Sequence, residues 1–210
     1  MMSAIAVSQR AVEDDIPLSM RGPAPASVVA GFGFWLFLLS DIILFAAFFA
    51  AYAVLSGETA GGPSGLSLFH KQRVFIETLF LLFSSVTCGF GSLAVQRGNR
   101  PRTCLWMIAT LLLGGVFLAL ELTEFSGIVA TGAGPSRSAF LSAFFALVGA
   151  HGAHVTFGLA WLVVMLLQLG TFGFEPMVRR RFVCFALFWH ALDIVWVWLF
   201  TVVYLMGVRA

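Results

Sequence analysis

The sequence predicts an all-α, polytopic membrane protein: a bundle of five transmembrane helices. Three observations carry this. Apolar types make up 60% of the 210 residues while charged ones make up only 10%, against roughly half and a quarter in soluble domains. The mean hydropathy is +0.98. Five separate stretches are long enough for the roughly 20 mainly apolar residues that a crossing requires. So few charges cannot cover a water-facing surface, which excludes a soluble globule, a disordered chain and a disulfide-stapled secreted module. A net charge of +2 with no basic run interleaved with aromatics excludes a nucleic-acid partner.

The expected spans are about 29–55, 74–96, 103–125, 138–168 and 182–207. Each run is apolar on every side, whereas barrel strands alternate over about ten residues. The N-terminal residues 1–28 read as a polar tail: they lack a basic segment followed by an apolar run, and carry no sign of a lipidation motif. The links, SGETAGGPSGLSLFHKQR, RGNRPR, SGIVATGAGPSR and LGTFGFEPMVRRR, carry Gly or Pro where helices end. None is long enough for a soluble domain, and no inverted repeat is visible. The layout is therefore a tail over 1–28 and one transmembrane domain over 29–207. The fourth span exceeds one perpendicular crossing, which tilt would absorb.

Basic residues orient the bundle. Arg10, Arg21, Arg97, Arg100, Arg102, Arg179, Arg180 and Arg181 fall on the N-terminal side; Lys71, Arg73, Arg137 and Arg209 fall on the other. The excess predicts a cytoplasmic N-terminus and a periplasmic C-terminus. Arg179, Arg180 and Arg181 are also candidates for anionic lipid head groups, with a plain topology anchor as the competing account. Cys88, Cys104 and Cys184 have no metal-type spacing and read as small hydrophobes.

Ionisable groups in a bilayer are costly, and those that persist usually face the bundle interior with a partner. Asp41, His151, His154, His190 and Asp193 fall near the middle of their spans; Glu77, Glu121 and Glu124 come near the outer ends of the second and third. His151 and His154, His190 and Asp193, and Glu121 and Glu124 are each three apart, so each pair shares a helix face. Three readings compete: a metal site, a proton path, and a hydrogen-bonded network that fixes helix register. The Glu-x-x-His pairs of di-iron bundles are absent, and His70 lies in a link. A serine hydrolase at Ser92 lacks any nucleophile motif. Gly114 and Gly115, the group Ala146, Gly149, Ala150, Gly152 and Gly158, and Ser84, Ser85 and Thr87 are expected packing faces. Trp35, Trp106 and Trp189 are expected near the membrane interfaces.

Several segments carry a family resemblance. GFWLFLLSDIILFAAFFAAYAVL (33–55), IETLFLLFSSVTCGFGSLAV (76–95), LELTEF (120–125), RSAFLSAFFALVGAHGAHVTFGLAW (137–161) and LFWHALDIVWVWLFTVVYLMG (187–207) resemble subunit III of bacterial cytochrome bo-type ubiquinol oxidases. The related seven-helix subunit III of cytochrome c oxidases shares H-G-x-H-V (151–155) and W-H-x-x-D-x-V-W (189–196); five spans match the shorter version. The resemblance implies an accessory, non-catalytic subunit of a proton-pumping respiratory oxidase in the bacterial inner membrane, an enzyme only as part of its complex. It implies no cofactor in this subunit, haems and copper in subunit I, contacts with subunits I, II and IV, and bound phospholipid. Asp41 and Glu124 match the family's intramembrane acids and join His151, His154, His190 and Asp193 in the expected polar network; Glu77 and Glu121 are left as outer carboxylates, with Glu121 often matched by a neutral residue in the relatives. The alternative is an autonomous proton-coupled transporter or channel.

Overall fold

The computed structural model describes residues 26–61 and 71–206. Arg10, Arg21, His70 and Arg209, which entered the expectations above, lie outside the described residues. Five helices are long and apolar enough to cross a membrane. They are α1 (Ala26–Leu55), α2 (Lys71–Gln96), α3 (Arg100–Ala130), α4 (Ala139–Phe172) and α5 (Pro176–Leu199), the last continued by a π-helical end, Phe200–Met206. Among the described residues there is no strand.

The helices overrun the apolar stretches because their ends are set by caps, not by hydropathy. Asn99 caps α3 by accepting from the Arg102 amide at 3.1 Å, and Pro101 occupies its first turn. Ser138 caps α4 by accepting from the Leu141 amide at 3.2 Å, and Gly173, at φ +68°, closes it. Pro176 starts α5 six residues before the hydrophobic run begins.

Two compact units are distinguished along the chain, residues 1–37 and 38–210. In the first, the described residues belong to the beginning of α1, and Phe34 packs on Phe37 at 5.7 Å between ring centroids. In the second, α2 and α3 form a close antiparallel hairpin, α5 packs on α2 and α4, and α3 packs on α4. From Leu38 onward α1 buries a narrow stripe, Leu38, Phe45 and Tyr52, seven residues apart. That spacing keeps one line of side chains facing inward. Most of its other residues are exposed, as befits a helix bathed in lipid or covered by another chain.

Trp189 is the wedge of the core. It is buried near the middle of α5, deeper than the one to two turns inside the span that an interfacial residue would take. The turns added from Pro176 onward set it further from the helix start. Gly114 on α3 and Gly158 on α4 make room for it. A Cβ on Gly114 would stand 2.8 Å from the indole, and one on Gly158 3.0 Å. The indole N–H donates to the Ser84 hydroxyl at 3.0 Å. Gly115, by contrast, faces open space. Trp196 repeats the arrangement two turns on, donating to Thr78 at 3.0 Å and packing edge-on against Phe117 at 4.6 Å. Hydrogen bonds of this kind satisfy indoles in a medium that supplies no other partner.

Candidate functional site

The polar side chains within the spans gather in four places. At the end of the bundle where α2 begins, the end expected to face outward, Arg73 leaves the first turn of α2 and ties that helix to α3. Its Nε–H donates to Glu77 Oε1 at 3.3 Å. Its terminal nitrogen donates to the Leu120 carbonyl at 2.9 Å and to the Thr123 hydroxyl. Glu77, Glu121 and Glu124 are all buried and near enough to interact electrostatically with one another. Tyr204, on the π-helical end, interacts with all three and with Tyr52 of α1. Glu121 lies against α4, where a Cβ on Gly152 would stand 3.3 Å from its carboxyl oxygen. Glu124 therefore stands with the outer carboxylates, away from the midplane imidazoles.

The second place joins α1 to α4 at the centre of the bilayer. Asp41 and His154 face each other at 3.9 Å, an electrostatic contact longer than a hydrogen bond. The other ring nitrogen of His154, Nδ1, lies 2.7 Å from the Ala150 carbonyl one turn back. Donation to that carbonyl fixes the tautomer and leaves Nε2 toward the carboxylate.

In the third, α2 meets α5. The Ser85 hydroxyl lies 2.8 Å from His190 Nδ1, and Asp193, one turn further along α5, reaches the same nitrogen at 3.9 Å. Serine, histidine and aspartate are thus together, yet not as a hydrolytic triad. That chemistry requires serine and aspartate on opposite ring nitrogens, and here both address Nδ1.

His151 occupies the fourth place, next to the second, since Phe45 lies against both its ring and that of His154. It is wholly buried among Phe45, Phe117 and Trp196, with ring centroids 6.3, 6.0 and 5.1 Å away. Neither of its ring nitrogens has a hydrogen-bond partner among the described residues. An aromatic box around an imidazole is a packing arrangement, at some cost in unmet hydrogen bonding. His151 and His154 thus lie on either side of Phe45, while His190 is held apart at the join of α2 and α5. Among the described residues no group of three or more His, Cys, Asp or Glu side chains is arranged to hold a metal ion.

At the opposite end, the arginines are held by helix termini. Arg181 donates to the Gln168 side chain at 2.7 Å, Arg179 lies over the Phe174 ring at 5.3 Å, and Arg100 donates to the Gly170 carbonyl. Arg179 also approaches the α2–α3 link at Gly98.

Compared with known proteins, the chain matches the family model described as cytochrome c oxidase subunit III over residues 4–208. The chain belongs to that family. It is 53% identical over 176 residues to the cytochrome bo(3) ubiquinol oxidase subunit 3 of Pseudomonas putida, covering 84% of this chain and 85% of the relative. The quinol oxidase subunit 3 of Bacillus subtilis is 45% identical over 175 residues, 83% and 86% of the two chains. The cytochrome c oxidase subunit 3 of Alkalihalophilus pseudofirmus is 45% identical over 177 residues, 84% and 86%.

For this subunit III, sequence reasoning placed the described ionisable residues along their helices and missed several partners. Arg73 counted only as a topology charge, and its carboxylate partner four residues on was the available signal. Thr78, Ser84 and Ser85 turned out to be the partners of Trp196, Trp189 and His190. The matched spacing of hydroxyls on α2 and aromatic donors on α5 was the clue there.

Proposed function

We propose that this chain is the accessory, non-catalytic subunit III of a proton-pumping bo-type ubiquinol oxidase, which oxidises quinol and reduces oxygen to water. The observation that carries the reading is the 53% identity to a ubiquinol oxidase subunit 3 along most of both chains. The geometry agrees with an architectural role. Arg73, Ser84, Thr78 and Trp189 join helices to one another, and the titratable groups are spent on the same joins. Electron transfer and oxygen chemistry then belong to haems and copper in subunit I, the main contact, with subunits II and IV completing the particle. Phospholipid is the other partner, with Arg179, Arg180 and Arg181 toward anionic head groups. The setting is the bacterial inner membrane. An N-terminus in the cytoplasm and a C-terminus in the periplasm place the arginine-rich end inside, in keeping with the charge bias of membrane proteins.

Purification in a mild detergent tests this. The expected result is a multi-subunit particle with a haem absorption spectrum that consumes oxygen with quinol. A chain that runs alone, colourless and active in vesicle flux assays, would overturn it.

A further inference from the structure

We propose that the face made by α5 between α1 and α2, centred on His190 and Asp41, receives a transmembrane helix of a partner oxidase subunit, and that this helix presents a hydrogen-bonding side chain to His190 at the bilayer centre. The proposal rests on the reading of the chain as an oxidase subunit and adds the surface and its chemistry.

Depth comes first. The fifth span covers Pro176–Leu205 and the first Val28–Leu55, so His190 and Asp41 both sit at mid-membrane. Their side chains are nevertheless 42% and 19% exposed. Hydrocarbon offers an imidazole nothing to bond with, and polar groups at that depth face protein or a wet cavity. Ser85 and Asp193 both address Nδ1 of His190. The remaining ring nitrogen, Nε2, has no such partner among the described residues. Around it α5 presents Ile194, Val197 and Trp198, all exposed, a hydrophobic frame for a docked helix. Beside Asp41 an open cleft runs between Leu38, Ile42 and Phe45 of α1 and Ala191, Leu192 and Val195 of α5. It is a groove into which a neighbouring side chain inserts.

The other outward faces lack this character. On α3 they carry Leu105, Leu112 and Leu122, and on α4 Phe157, Val163 and Leu167. The exposed Thr156 of α4 is satisfied within its own helix by the Gly152 carbonyl. Lipid suits those faces. A helix with a polar side chain at its middle suits α5, since interhelical hydrogen bonds in a membrane act as glue of about 1–2 kcal/mol.

The experiment places a photo-crosslinking amino acid at Ile194 or Trp198, and for comparison at Leu112 or Leu167, in the whole assembled oxidase. Illumination is followed by mass spectrometry of the adducts. Positions 194 and 198 are expected to couple to another oxidase subunit, and positions 112 and 167 to lipid or detergent. Lipid adducts alone at 194 and 198, adducts to a second copy of this chain, or subunit adducts confined to 112 and 167 would each overturn the proposal. A chain recovered outside any haem-containing particle would instead defeat the oxidase reading on which it rests. A second measurement uses His190→Leu. Subunit retained in the detergent-purified particle should fall roughly tenfold, the ratio that one lost interhelical hydrogen bond gives. Ser85→Ala, which removes only the inward bond, should leave retention near that of the unaltered chain. Equal retention in His190→Leu and the unaltered chain counts against the docked polar side chain.

Discussion

The outer carboxylate cluster and the midplane pairs use the same residue types in opposite ways. Glu77 is wholly enclosed, and Glu121 and Glu124 nearly so. Arg73, itself 38% exposed, is drawn onto Glu77, the Leu120 carbonyl and Thr123. The cluster is a sealed clasp between α2 and α3. At the midplane, Asp41, His154 and His190 sit at the bundle's rim, partly open toward whatever lies outside. Burial with an internal cation makes a polar group a joint within the chain. Partial exposure at the middle of the spans makes it a surface that needs covering. The contrast teaches that the direction a titratable group faces around its helix decides whether it joins helices within the chain or opens outward.

The largest expected effect comes from breaking the clasp. Arg73→Leu leaves Glu77 buried without its cation, and losing one partner of such a pair costs about 3 kcal/mol. Heating the purified particle should release this subunit at a markedly lower temperature, and Arg73→Leu combined with Glu77→Leu should recover most of the loss. No difference between single and double variants would mean that the pair is not a joint.

Next in size is Gly114→Ala, which drives a methyl into the Trp189 indole within a core common to both regions. Overpacking of this kind costs about 1–3 kcal/mol. Denaturation of the particle should show it, while the same change at Gly115, which faces open space, should be nearly silent. Trp189→Phe, which keeps the aromatic wedge and removes the bond to Ser84, should cost about 1 kcal/mol in the same assay.

Asp41→Asn sharpens the other half of the comparison. Because the residue stands at the rim, initial oxygen consumption should stay close to normal, while activity decays sooner during sustained turnover. An immediate, near-total loss in a fully assembled particle would contradict a supporting role. The smallest effect on stability is expected from replacing Arg179, Arg180 and Arg181 with alanine. Anionic lipid retained through purification should fall, as read by lipid mass spectrometry, with the fold intact; unchanged lipid content would reject the head-group role.

Much of this architecture was legible in advance, for a physical reason that can be traced residue by residue. The pairs His190 and Asp193, and Glu121 and Glu124, are neighbours because three residues along a helix return to the same face. Gly114 and Gly158 were expected to be places of close approach, and they are. Trp189 lies deeper than expected because the hydrophobic run from Phe182 understates α5, which begins at Pro176, ahead of the arginines. His151 and His154 were expected to point into one interhelical space, and both rings lie against Phe45. The spacing of two imidazoles does not record that His151 is wholly enclosed, by Phe117 and Trp196 as well.

Five crossings, their order and the position of each described ionisable group along its helix followed from the amino-acid sequence by itself. Transfer into hydrocarbon is a property of each short segment, and position along a helix converts directly into depth. Which groups meet was decided only by the tertiary structure. Arg73 finds the Leu120 carbonyl across 47 residues of chain, and Ser85 finds His190 across 105. Such meetings depend on how each helix is rotated and how closely its neighbour approaches. Those quantities come from side chains packing across the bundle, as when two glycines on separate helices admit one indole.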